Sequence, residues 1–199
     1  FRELQASMPP VKGVIHAAGV ADDHLIENLE KHHLGPVFGP KIDGSINLHR
    51  ATKDLGLDFL ALFSSASALF GALGQAHLCA GNAFMDAFAA HLRAQGLPAT
   101  SIQWGPFGEV GADPRATRIT ARFHSLAPDT CFAALGAVLG SSGALRGGAV
   151  GIASVNWTGL LGRLKRVPPF LRNFAGLRNS DRPADSDSDE DGYEECEAR

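Results

Sequence analysis

Polar residues set against predicted strands and helices make a suggestive group: Ser64-Ser65 after an apolar run, Lys41 upstream of it and Asn82 in the next helix. Lys41 supplies an ammonium, Ser65 a hydroxyl at the end of an apolar run, and Asn82 a carboxamide within a helix-patterned stretch. Hydroxyl, ammonium and carboxamide are donors of the kind that stabilise a developing oxyanion when held in fixed positions. Taken one at a time, each has a plainer reading. A serine after a buried strand more often starts a turn or a helix, and a lysine is ordinarily a solvated charge. Their combination with two glycine-containing strand ends, His16-Ala17-Ala18-Gly19 and Trp104-Gly105-Pro106, gives the group its interest.

Elements that could position these residues are legible in the hydrophobic pattern. Four apolar, partly β-branched runs, 11–19, 57–65, 99–106 and 149–157, read as buried strands bounded by Gly, Pro or polar clusters. The stretches 23–35, 40–55, 75–95 and 128–140 between them are long enough for helices. Leu78, Phe84, Met85, Phe88 and Leu92 recur near helical spacing, and Gly96-Leu97-Pro98 ends that pattern. Strands alternating with helices predict an α/β fold, a doubly wound parallel sheet of Rossmann-like type. Ligands of such sheets gather at the carboxyl ends of the strands, where Gly19, Ser65 and Pro106 stand.

The 199 residues hold 45% hydrophobic side chains and a formal charge of −3, which fits a globular core with a tail. The charge is unevenly spread. Residues 181–199 carry nine acids against Arg182 and Arg199, which leaves 1–180 with a small, scattered basic surplus. That pattern gives no nucleic-acid footprint. The segment 178–199 is expected to be a disordered acidic tail or linker, because so polar a stretch buries too little to offset ordering entropy. Ser186 and Ser188 within it have the acidic setting that some kinases favour. Cys79, Cys131 and Cys196 lack metal-ligand or disulfide spacing, so no metal is expected. No apolar run approaches the roughly 18 residues of a membrane span, and no signal sequence opens the chain. The expectation is a cytoplasmic protein.

Motif order then brings a resemblance. GVIHAAGVADD (13–23), PKIDGSINLH (40–49), LALFSSASALFGALGQA (60–76), GNAFMDAFAAHLRAQGLPATSIQWGPFGEVG (81–111) and VNWTGLLGRLKRVPPFL (155–171) follow one another as in the ketoreductase domain of modular polyketide synthases. That domain is a branch of the short-chain dehydrogenase/reductases, and the likeness covers about 11–175. The resemblance implies an NADPH-dependent reduction of a β-ketoacyl thioester, carried on an acyl carrier protein, to the β-hydroxy form. It implies that 1–177 is the C-terminal part of such a domain, with its first strands and the glycine-rich pyrophosphate turn missing from this stretch; none of the 23 glycines forms a G-x-G-x-x-G turn. Lys41, Ser65 and Asn82 match the family's catalytic lysine, serine and asparagine. Ala17, Ala18, Gly19, Lys41 and Pro106 match its nicotinamide-side contacts. The implied partners are the carrier protein with its phosphopantetheine-bound substrate and the missing N-terminal half or neighbouring synthase domains.

One departure bears on activity. In GQAHLCAGNAF (74–84) the family's tyrosine, which protonates the substrate oxygen, falls on Leu78. Leucine has no proton to give, and loss of a general acid costs roughly 10² to 10⁴ in rate. His77 and Cys79 flank that position but leave the helix in other directions, since each residue turns by about 100°. His77 reads as a histidine on a helix flank. Reduction by this chain is therefore expected to be impaired, and the alternative is an inactive structural or docking domain of a synthase. Asp22-Asp23 mark one stereochemical subtype of the family, though Ala21 replaces its leucine and Phe70 stands where the other subtype has tryptophan. The plainer reading of the pair is a helix N-terminal cap. Trp104 and Trp157 are expected to end strands and to pack, and His32-His33 to lie on a solvated helix face.

Overall fold

The computed structural model describes residues 2–108, 122–141, 147–162 and 164–179. Residues 180–199, with Ser186, Ser188, Cys196 and almost all of the expected acidic tail, lie outside the described residues. The chain divides into two compact units, Phe1–Val155 and Asn156–Arg199.

In the first unit, helix α1 (Arg2–Ser7) precedes strand β1 (Gly13–His16), and helices α2 (Lys31–Phe38) and α3 (Gly44–Thr52) follow. Strand β2 (Phe59–Ser65) leads through the short α4 (Ser67–Phe70) to the long α5 (Ala76–Ala94) and strand β3 (Ala99–Trp104). Strand β4 (Phe123–His124), helix α6 (Pro128–Gly140), strand β5 (Ala149–Ile152) and strand β6 (Ser154–Val155) complete it. Four strands form a parallel sheet in the order β1-β2-β3-β5, so the expected α/β, doubly wound arrangement is present.

Alternation along the strands distributes the core to the two faces of the sheet. Val14, Leu60, Leu62 and Ala99 pack with Met85, Ala89 and Leu92 of α5. Ala61, Ile102, Trp104 and Val150 pack on the other face with Cys131, Leu135 and Val138 of α6. Among the described residues β1 pairs only with β2 and forms a sheet edge, where Ile15 is 47% exposed. An apolar edge of this kind is a natural place for a further strand to pair.

The expected helix over 23–35 is not continuous. His24 donates its backbone N–H to Gly74 and bridges to Gln75, Ile26–Asn28 make a single 3₁₀ turn, and α2 starts afresh after Glu30. Glu30 and His33 satisfy each other's backbone N–H groups in a capping box, which fixes that start. Nor do Asp22 and Asp23 cap a helix, since Leu25 and Glu30 hold the two N-cap positions. The stretch expected as a helix over 40–55 opens with a wide π turn, Gly39–Asp43, before α3. Pro40 has no N–H to continue an α-helical ladder, a recognised cause of such a local widening.

A third correction concerns 149–157. The run breaks at Ala153, between β5 in the parallel sheet and β6, which pairs antiparallel with β4. A β-carbon on Gly105 would approach Ala153 Cβ to 3.0 Å, so the strand leaves the sheet where these backbones meet. Trp157 accordingly does not end a strand. In the second unit it opens helix α7 (Trp157–Leu161), capped by Asn156 Oδ1 accepting from Gly159 N–H at 2.9 Å. Its ring stacks on Phe174 with centroids 4.0 Å apart.

Candidate active site

Lys41 and Ser65 stand at the carboxyl ends of β1 and β2, and Asn82 on α5. Lys41 lies in the π turn, which holds it beside the end of β1. His16, buried at that end, donates from Nε2 to the Pro40 carbonyl at 2.8 Å and so fastens the turn to the strand. The Lys41 chain then runs inward. A β-carbon on Gly81 would lie 3.2 Å from Lys41 Cδ, and one on Gly19 would lie 3.5 Å from Nζ. The stem thus crosses α5 at Gly81, and the ammonium ends beside Gly19. Lys41 is 7% exposed, and burial pushes its ammonium below its ordinary range, partly offset by the negative charge of Asp86.

Asn82 follows Gly81 on α5 and is 1% exposed. Neither its Oδ1 nor its Nδ2 has a hydrogen-bond partner among the described residues, although its backbone carbonyl accepts from Ser64 Oγ at 3.3 Å. A buried, unpaired carboxamide costs about 1–3 kcal/mol, so a position that retains one is suited to a polar ligand. Ser65 is half-buried, and its Oγ accepts the Ser67 backbone N–H at 3.1 Å. That bond fixes the oxygen in a local turn and leaves the hydroxyl hydrogen available to donate.

Lys41 thus lies against Gly19 and Gly81, and Asn82 follows Gly81 with its backbone carbonyl on Ser64, while among the described residues no hydrogen bond joins Ser65 to Lys41 or Asn82. Ala17, Ala18 and Gly19 are exposed beyond β1, while Pro106 follows the buried Trp104-Gly105 end of β3 and accepts from Leu126 N–H at 2.8 Å. The lysine beside a glycine, the unpaired carboxamide and the exposed strand end fit the nicotinamide-ribose half of a dinucleotide. Leu78 is half-buried one turn before Asn82 on α5, on the same stripe, and brings no titratable group.

His77 is not merely on a flank. It is 2% exposed, and its Nε2–H donates a short hydrogen bond to the Asp22 carbonyl, while Nδ1 is buried without a partner among the described residues. Gln75 Nε2 donates to Asp23 Oδ1 at 3.0 Å, and His24 Nε2 bonds Asp22 Oδ1 at 2.9 Å. Asp22 and Asp23 thus tie the segment after β1 to the start of α5. Of the pair expected on a solvated face, His32 is exposed, but His33 stacks on His24 at 3.6 Å and is held by the capping box.

Sequence reasoning passed over a further group under α5. Asp86 accepts from Ser101 Oγ at 2.6 Å through Oδ1 and from Gln103 Nε2 at 2.7 Å through Oδ2. Its place was readable as four residues beyond Asn82 and eight beyond Leu78, one stripe of a helix. Ser101 and Gln103 alternate along β3 on the face that α5 covers. Among the described residues no cluster of three or more His, Cys, Asp or Glu side chains could hold a metal ion, and no helix is long and apolar enough to cross a membrane.

Fold and site define an α/β protein of the short-chain dehydrogenase/reductase type. The KR domain family matches residues 1–109, and the chain belongs to it, among the ketoreductase domains of polyketide synthases. It is 49% identical over 112 residues to the spectinabilin polyketide synthase system protein NorB of Streptomyces orinoci, covering 55% of this chain and 5% of that protein. Polyketide synthase GfsB of Streptomyces halstedii is 52% identical over 97 residues, 49% of this chain and 2% of that protein. Among solved structures, A-type ketoreductases from a modular polyketide synthase match with a TM-score of 0.80 and 33% identity over 90% of this chain and 39% of theirs. The first ketoreductase of the tylosin polyketide synthase matches with a TM-score of 0.69 and 32% identity, over 89% of this chain and 36% of that one. The chain thus spans about two fifths of the solved ketoreductases and a few per cent of the synthases.

Proposed function

We propose that residues 1–177 form the C-terminal part of an NADPH-dependent β-ketoacyl reductase that keeps its cofactor-side geometry and has lost its general acid, with 178–199 as an acidic linker. The observation that carries this reading is the placement of Lys41, buried, crossing α5 at Gly81 and ending beside Gly19, with Asn82, buried and its carboxamide unpaired among the described residues, following Gly81 on α5. NADPH, when bound, supplies a hydride to a β-keto carbon. Lys41 would hold the nicotinamide ribose by charge-assisted hydrogen bonding, and Ala17, Ala18, Gly19 and Pro106 are the residues that would contact the nicotinamide side. Ser65 donates to the substrate carbonyl and orients it, and Asn82 anchors water for a proton relay.

The step that fails is delivery of a proton to the forming alkoxide. In this family's order of residues that proton comes from the position of Leu78, and leucine has none. The substrate class is a β-ketoacyl thioester presented by an acyl carrier protein of the same assembly, in the cytoplasm. An alternative reading, favoured by Leu78 itself, is a non-catalytic structural or docking domain. The two are separated by measuring NADPH binding and NADPH oxidation with a β-ketoacyl thioester analogue in the complete domain. Binding that is lost in Lys41→Ala, with slow or no oxidation, is the expected result. Failure to bind NADPH would leave the structural reading.

A further inference from the structure

We propose that His24, His33 and His77 form a proton-sensitive latch: with neutral imidazoles they hold the segment after β1 against the starts of α2 and α5, and mild acid opens it. That segment leads away from Gly19, beside which the Lys41 ammonium ends, so the latch governs how firmly this side of β1 is held.

Stretches distant in the chain meet there. His77 of α5 donates from Nε2 to the Asp22 carbonyl, and Gln75 Nε2 donates to Asp23 Oδ1 at 3.0 Å. In return His24 donates its backbone N–H to the Gly74 carbonyl at 2.8 Å and, from Nε2, bonds Asp22 Oδ1 at 2.9 Å. The His24 ring stacks on His33 of α2, with centroids 3.6 Å apart and planes 16° from parallel, and its centroid lies 6.3 Å from that of His77. His24 is thus the hub, touching α2 through its ring and the approach to α5 through its backbone.

His33 is the ring that a proton disturbs most directly. Its Nδ1 accepts the Glu30 backbone N–H at 3.0 Å, half of the capping box that starts α2. An imidazolium donates at both nitrogens and accepts nothing, so a charged His33 releases that N–H. Charging His24 as well would set like charges face to face at 3.6 Å. At His77, 2% exposed, Nδ1 is buried with no partner among the described residues, and a proton placed there would meet no acceptor. Of the other ionisable groups around the cluster, Asp22 is bonded to His24 and Asp23 to Gln75, while Glu27, Glu30, Lys31 and His32 are exposed. Burial, with His24 and His32 beside it, makes His33 hold its proton less tightly than the ordinary 6.5, and the carboxylates of Asp22 and Glu30 offset this only in part. The opened segment therefore takes up the proton more readily than the closed one, and the latch loosens as pH falls below about 6.5.

Amide hydrogen exchange of the complete domain, corrected for the intrinsic pH dependence of exchange, tests the latch between about pH 7.5 and 5.5. Protection of 22–33 and 74–78 should fall with pH, by up to about tenfold per pH unit for each proton taken up, while β2 and β3 keep theirs. His33→Gln, whose side chain still accepts at this capping position and carries no charge, should remove most of the fall. Protection that does not fall with pH in the parent overturns the proposal, and so does a fall as large in His33→Gln as in the parent. Histidine-selective carbon-13 NMR supplies an independent reading. The His33 midpoint should lie below 6.5 and rise in His24→Phe, which keeps a ring on the stack without its charge. A midpoint at or above 6.5, or one unmoved in His24→Phe, overturns the proposal even if His33→Gln does not fold.

Discussion

The stem of Lys41 crosses α5 at Gly81, where a β-carbon would stand 3.2 Å from Lys41 Cδ and 3.4 Å from its Cβ. Gly81→Ala therefore sets two effects against each other. Alanine favours the helix interior by about 1 kcal/mol, while the new methyl forces the lysine aside by a few tenths of an ångström. The fold should keep its stability to within about 1 kcal/mol. Lys41, however, loses its line to Gly19, and NADPH binding in the complete domain should weaken roughly tenfold or more, the worth of one charge-assisted hydrogen bond. Calorimetry for the first effect and cofactor titration for the second check the pair, and unaltered binding would argue against the lysine's assigned role.

Burial of Lys41 makes a pH-dependent prediction. Its folded ammonium holds the proton less tightly than the ordinary 10.5, chiefly through desolvation and despite Asp86. Between the folded and unfolded midpoints the unfolded chain binds more protons, so this group makes stability rise with pH across that window. Below the window the cost of burying the charge is present in full. Lys41→Met should therefore stabilise the fold at neutral pH, by roughly 1 kcal/mol. The difference should shrink as pH rises towards 10.5. Denaturant unfolding of parent and variant at a series of pH values measures it; a gap that widens with pH would contradict the burial account.

Gly148 tests the packing of α5 on the turn that leads into β5. Its φ is 74°, and a β-carbon there would lie 2.6 Å from Ala90 Cα, a backbone atom with nowhere to go. Left-handed strain and the clash together should make Gly148→Ala lose about 2–5 kcal/mol. A loss below about 1 kcal/mol, by chemical denaturation, would show that this close approach is not kept.

The strands and the long α5 were legible because their cores repeat at periods of two and 3.6 residues. Motif order nominated Lys41, Ser65 and Asn82, of which the structure buries Lys41 and Asn82 and leaves Ser65 half-buried. Contacts that decide how each works were not legible. Nothing in the run PKID shows that Pro40 opens a π turn or that His16 fastens it, because both depend on a carbonyl 24 residues away meeting an imidazole. Asp22-Asp23 looked like a helix cap because N-caps favour Asp; tertiary bonds to Gln75 and His77 recruited the segment instead. Trp157 read as a strand end because the apolar run continues through Ala153, and the close approach of Gly105 that interrupts it is non-local. The π turn, the Asp86 clamp and the His77 tether share that origin, residues distant in sequence whose polar groups meet only once the sheet is formed.

The central claim is that the geometry around Lys41, Ser65 and Asn82 is kept while the acid at position 78 is lost. Leu78→Tyr in the complete ketoreductase domain tests it most directly, by NADPH oxidation with a β-ketoacyl thioester analogue. A restored phenol at position 78 should raise the rate by about 10² or more, and Lys41→Ala in the same background should remove the gain. A parent domain that oxidises NADPH as fast as the tyrosine variant would contradict the account.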